Sequence, residues 1–90
     1  MPVLKIPTPM RPYTNNLTEV RVSGTNAGEA MEALLSQFPA LRPHLTRENG
    51  KLRAFVNLFL GQDNLRDLKG MQTPLGEDQE LRLVLSIAGG

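Results

Sequence analysis

One stretch of this chain reads unambiguously as a helix, and it limits everything else. Ala27, Ala30, Met31, Leu34, Leu35 and Phe38 recur at helical spacing and make a single apolar stripe. Asn26 stands where an N-cap belongs, with Glu29 three positions on to reach back to the cap amide. Pro39 ends the run. A lone stripe must be buried against something, and the chain has 90 residues with which to do it. That is one domain with one small core. Apolar residues make up 40% and charged residues 21%, so the chain has the means to fold rather than stay disordered.

The partner of the helix has to be a sheet. Val3-Leu4-Lys5-Ile6 reads as a first strand, with Leu4 and Ile6 on one face. Pro7, Pro9 and Pro12 forbid regular pairing, so residues 7–17 are expected as a stiff loop turning at Asn15-Asn16. Residues 18–23 form a second strand, Val20 and Val22 inward, Glu19 and Arg21 outward, antiparallel to the first. After the helix, residues 41–45 suit a short helical turn, and Asn49-Gly50 a tight turn. The run LRAFVNLFL at 52–60 is the strongest strand by composition. It is apolar on both faces, as befits a central strand or one whose outer face meets a partner. Residues 61–64 turn, 65–66 form a short edge strand, and 67–80 wander past Gly70, Pro74 and Gly76. Residues 81–87 make the last strand. One helix on one face of a mixed sheet of four to five strands is a two-layer α+β domain, and two strands before the helix fit a β-grasp.

The chain then closes on LRLVLSIAGG, an alternating strand running into two glycines. Three stretches carry a likeness to a known family: IPTPMRPYT at 6–14, FVNLFLGQDNLR at 55–66 and SIAGG at 86–90. Together they resemble the ubiquitin-like sulfur carriers of the MoaD and ThiS type, nearest to the cysteine-biosynthesis carrier and its MoaD-like relatives. The stretch Gly76-Glu77-Asp78-Gln79-Glu80-Leu81 departs from the Gly-Asp-acidic-Val pattern frequent in that group. The resemblance implies a ubiquitin-like β-grasp over residues 1–87 and a flexible Gly-Gly tail at 88–90.

It also implies a job. A partner activating enzyme, using ATP and magnesium, adenylates the Gly90 carboxylate. A sulfur donor converts the adenylate to a thiocarboxylate, and a synthase accepts the sulfur. That acceptor is the large subunit of molybdopterin synthase, a cysteine synthase type of enzyme, or a thiamine-type system. The chain binds no cofactor itself and is a carrier, not an enzyme. In a MoaD-type system it would be the non-catalytic small subunit.

The chemistry suits such a tail. A terminal carboxylate has a pKa of roughly 3.3–3.7 and is ionised at neutral pH, which makes it a poor electrophile. Adenylation supplies the leaving group. Gly89 and Gly90 lack Cβ and can enter a slot closed to other residues, and Ala88 to Gly90 extended reach roughly 10 Å. The resemblance to ubiquitin implies that in the last strand Leu81, Leu83, Leu85 and Ile87 alternate inward, leaving Arg82, Val84 and Ser86 outward. Phe55 or Phe59 from the neighbouring strand would extend Val84 into a docking patch beside Ala88 and the tail. The plainer reading makes these phenylalanines core.

Other classes are less well served. Net charge is +1 with no basic stripe, so nothing points to nucleic acid. There is no cysteine for thiolate chemistry, and no apolar run of membrane-spanning length. MPVLKIPTP lacks a charged segment followed by an apolar run, and a cytoplasmic location is expected. His44 has no metal-ligand spacing around it, and Ser23, Ser36 and Ser86 have no evident base, so no metal site is expected. Two further readings stand beside the carrier: a ubiquitin-like modifier joined through Gly90 to lysines of other proteins, and an interaction domain with an inert tail.

Overall fold

The structure is a computed structural model and describes residues 1–86. β1 (Val3–Lys5) and β2 (Glu19–Arg21) form the expected antiparallel hairpin, Leu4 opposite Val20. Leu4, Ile6, Val20 and Val22 are all buried, while Glu19 and Arg21 face solvent. The segment between them corrects the expected loop. Residues Thr8–Thr14 wind into a 3-10 helix that buries Met10 and Thr14. Proline fixes φ near the 3-10 value while denying a donor to a sheet, so the same residues that prevent pairing favour this coil. The Thr14 hydroxyl lies 3.3 Å from the Arg11 carbonyl and 3.2 Å from that of Leu17. Asn15 and Asn16 then reverse the chain with φ of 55° and 63°, a left-handed pair that asparagine tolerates.

α1 (Ala27–Gln37) buries Ala27, Ala30, Met31, Leu34 and Leu35, the stripe read from the sequence. The Asn26 side chain accepts from the Glu29 amide at 2.8 Å. The return reach lands one residue early: the Glu29 carboxylate accepts from the Thr25 amide at 2.7 Å and the Thr25 hydroxyl at 2.8 Å. These bonds to the charged form hold the Glu29 carboxyl below the usual carboxylate range. Just before the cap, a Cβ on Gly24 would stand 2.8 Å from the Ala30 nitrogen, so the strand-to-helix turn runs flush against α1.

Residues Pro39–Leu41 make a 3-10 turn that continues into α2 (Arg42–Leu45), and Gly50 takes φ 82° in the following turn. β3 is shorter than the expected strand at 52–60, running Val56–Leu60. Leu52 makes a single bridge to Thr46. Arg53 is tied by its guanidinium to the Pro43 carbonyl and by its amide to the Leu45 carbonyl, and a turn at 54–55 follows. Bonds to α2 thus hold residues 52–55 away from the sheet. β4 is Asp63–Asn64, earlier than the expected edge strand at 65–66. Leu65 instead enters a 3-10 turn, Leu65–Asp67, capped by the Asn64 side chain, and is buried there.

β5 (Glu80–Leu85) is the middle strand. The five-stranded order is β2-β1-β5-β3-β4, with β5 parallel to β1 and antiparallel to β3. β3 has neighbours on both sides, but the outer one is two residues long. Leu81 and Leu83 are buried beneath α1 in one core cluster with Leu4, Leu34, Leu41 and Leu58. A mixed sheet with its first and last strands parallel at the centre and one helix across one face is a ubiquitin-like β-grasp.

Candidate functional site

The face of the sheet turned away from α1 carries the residues the sequence singled out. Its register aligns five side chains across all five strands: Glu19, Lys5, Arg82, Phe59 and Asn64. The row passes from charge at β2 to an aromatic ring at β3. Lys5 lies 3.5 Å from Glu19 and 3.8 Å from Glu80, two exposed ion pairs worth at most about 1 kcal/mol each. Arg82 instead lies over the Phe59 ring, its guanidinium carbon 5.9 Å from the centroid.

A groove opens beside this row, its lining including Phe59, Arg82 and Val84 from the sheet and Pro7, Pro9 and Arg11 from the 3-10 segment and its cap. The Arg11 guanidinium is held by the Ile6 carbonyl at 3.1 Å, which pins the 3-10 segment to the end of β1. The core cluster and the residues packed on it include neither Phe59, Phe55 nor Val84. The plainer reading of the phenylalanines as core is therefore not what the structure shows. Phe59 and Val84 both line the groove; Phe55, 38% exposed, lies outside it and outside β3. Phe55 does reach the end of β5 by its backbone: its carbonyl accepts from the Ser86 amide at 2.7 Å.

Leu85 and Leu60 are half-buried and pack on the core, and Ser86 is exposed, as the alternation predicts. Gly90, Gly89, Ala88 and Ile87, together with the domain boundary placed after residue 87, lie outside the described residues.

The sequence reading missed one feature of this face. Asn64 donates from its side-chain amide to the Asn57 carbonyl oxygen at 3.3 Å, and Asn57 donates to the Ser86 hydroxyl at 2.9 Å. Side chains thus link β4 to β3, and β3 to the residue that follows β5. Asn57 lies directly opposite Val84, so the polar relay runs along the apolar patch. The available signal was Asn57 itself, a residue that strands disfavour, set inside VNLFL.

His44 stacks on Tyr13 with ring centroids 4.2 Å apart, joining α2 to the 3-10 segment. No group of three potential metal ligands gathers among the described residues, and no described helix is long and apolar enough to cross a membrane.

No protein-family model matches the sequence. Individual proteins do. The sulfur carrier protein CysO of Mycobacterium tuberculosis and that of Mycobacterium bovis are each 27% identical to this chain over 89 residues, spanning 97% of this chain and 96% of their own. Solved structures share the fold throughout. A chain of the Amycolatopsis orientalis BexX/CysO complex superposes with a TM-score of 0.87 at 23% identity, covering 100% of both chains. CysO of Mycobacterium tuberculosis gives 0.85 at 24% identity, over 97% of this chain and 100% of its own. Small archaeal modifier protein 1 of Haloferax volcanii gives 0.84 at 21% identity, over 99% and 98%.

Proposed function

We propose that this chain is a ubiquitin-like sulfur carrier of the kind that serves cysteine biosynthesis, a protein acted upon rather than an enzyme. The observation that carries the reading is its likeness, over nearly its whole length, to proteins named as sulfur carriers. The outer sheet face adds support: a groove whose lining includes Phe59, Val84, Arg82 and Arg11, none of them in the core cluster, runs beside the strand that leads in sequence to the two glycines.

In this reading the Gly90 carboxylate attacks the α-phosphate of ATP within a partner activating enzyme, which also supplies the magnesium, and pyrophosphate leaves. The resulting acyl-adenylate has a good leaving group where the carboxylate had none. A sulfur nucleophile then adds to the acyl carbon, AMP departs, and a thiocarboxylate remains for a synthase to consume. This chain contributes the acyl group and the surface that docks it. Phe59, Val84 and Arg82 offer an apolar contact with a cationic rim, a composition that interfaces favour. Gly89 and Ala88 pass through the partner's channel, and Phe55 flanks the base of the tail.

Intact-mass measurement after incubation with an activating enzyme, ATP and sulfide tests the proposal. The expected product is heavier by the replacement of one oxygen with sulfur. An unchanged mass with every candidate activating enzyme sinks the reading. The fold shared with small archaeal modifier protein 1 favours, as a second reading, attachment of Gly90 to lysines of other proteins. Larger covalent conjugates in place of the sulfur-bearing species would select it.

A further inference from the structure

We infer that Asn57 is a positioning residue that fixes the chain at Ser86, just past β5 and four residues before Gly90, acting through the Ser86 hydroxyl and itself oriented by Asn64. The inference rests on the sulfur-carrier reading for its purpose, but not for its geometry.

Among the described residues, the last ladder pair between β3 and β5 is Val56 with Leu85. One residue further, Ser86 is held twice: its amide donates to the Phe55 carbonyl at 2.7 Å, and its hydroxyl accepts from the Asn57 side chain at 2.9 Å. The second bond runs diagonally, from Asn57, opposite Val84, to the residue two beyond Val84. Diagonal neighbours across an antiparallel pair stand about 7–8 Å apart at Cα, a gap that an asparagine and a serine together bridge. Asn57 cannot turn freely, because its carbonyl oxygen is engaged by Asn64 at 3.3 Å. Asn64 is fixed in turn by capping the Leu65–Asp67 turn through the Arg66 amide at 3.0 Å. A short edge strand and its turn therefore orient a side chain on β3 that holds the end of β5.

An apolar residue at 57 would suit a strand and the surrounding patch better. Where local preference is broken inside a well-formed element, function is the usual reason. The use here is pre-organisation: a tail that starts from a fixed point loses less freedom when it enters a partner.

The test compares Ser86→Ala, Asn57→Ala, the double variant and Ser86→Thr, each checked for an unchanged melting temperature. Amide hydrogen exchange at position 86 is read by NMR on the isolated protein. Steady-state kinetics of adenylation are read with the cognate activating enzyme. Losing the side-chain bond should speed exchange at position 86 about 2–5-fold and raise KM by a similar factor, leaving kcat unaltered. The double variant should match the single ones, since all three break the same bond, and Ser86→Thr should behave as the parent. Unchanged exchange in Ser86→Ala overturns the inference. So do additive losses, or a Ser86→Thr as defective as Ser86→Ala. If Asn57→Ala does not fold, Asn64→Ala breaks the relay one link out and should shift exchange in the same direction; no shift there counts against the proposal. If no enzyme adenylates the parent protein, the carrier reading fails while the exchange data still decide the tether.

Discussion

Arg82 and Phe59 face each other directly across β5 and β3, the guanidinium carbon 5.9 Å from the ring centroid. A contact of that kind at an exposed site is worth about 0.5–1 kcal/mol. It sets an arginine over an aromatic surface that the core does not use. Such a side chain is ordered before a partner arrives, which lowers the entropy lost on docking.

Phe59→Asp and Val84→Glu should therefore impair activation far more than stability. Neither residue belongs to the core cluster, so the melting temperature should change by no more than the equivalent of about 1 kcal/mol. A charge placed in the middle of a docking patch should cost about 2 kcal/mol or more of binding, a drop in kcat/KM of thirty-fold or so. Thermal melts and adenylation kinetics on the same samples check both halves. Collapse of the fold would return these residues to a structural role.

Removal of Gly90 should abolish sulfur loading while leaving the melting temperature where it was. Among the described residues, the core cluster draws its last member from Leu83, and those packed on it end at Leu85. Intact mass after activation, set beside a melt, gives the answer. A truncated chain that still acquires sulfur would refute the terminal glycine as the reactive site.

Gly24→Ala should be among the most damaging of the small substitutions. The added methyl group meets the Ala30 nitrogen at 2.8 Å, and that atom belongs to the backbone of α1. The residue also has φ 152°. Helix and strand would have to separate, at a cost of about 2 kcal/mol or more. Chemical denaturation measures it. The same change at Gly50, where a new Cβ meets nothing within 4 Å, should cost less.

The helix cap should be sensitive to acid. Glu29 has its carboxyl lowered by the Thr25 amide and then the Thr25 hydroxyl, and Glu32 has its own lowered by Arg42. A group whose folded pKa lies below its unfolded one stabilises the fold above the unfolded value. That stability is lost as pH falls through the folded value. Glu29→Gln should thus be less stable than the parent at neutral pH, and the difference should shrink as the solution is acidified below the ordinary carboxylate range. Asn26→Ala, which deletes the cap itself, should cost about 1 kcal/mol with little dependence on pH. Unfolding curves across pH separate the two.

How much of this was written in the sequence depends on which interaction decides each element. Helix α1, the β1–β2 hairpin and β5 follow from period and punctuation; Leu4, Val20, Leu34, Leu81 and Leu83 are buried as expected, while Phe38 caps α1 half-buried, Leu85 is half-buried and Ile87 lies outside the described residues. The likeness of SIAGG and FVNLFLGQDNLR to sulfur carriers pointed to the fold and to the class of relatives found. Where local preference and tertiary bonding compete, the sequence misled. Residues 52–55 have strand composition, yet Arg53 bonds to the Pro43 and Leu45 carbonyls and draws them away. The prolines at 7–12 were legible as an obstacle to pairing, but not as a 3-10 coil that buries Met10. The relay from Asn64 to Ser86 depends on a register between strands that no local pattern reveals.

The parallel pairing of β1 with β5 has a consequence for biosynthesis. Val3 pairs with Glu80 and Lys5 with Arg82, so the first strand waits for the last before the sheet has a middle. Chains are made from the amino end, and contacts so distant in sequence form late. A nascent or prematurely halted product lacks its central strand and leaves β1 and β3 with no neighbour between them. Completion of the fold thereby acts as an inspection step, since the sheet gains its middle only in molecules synthesised through Leu85.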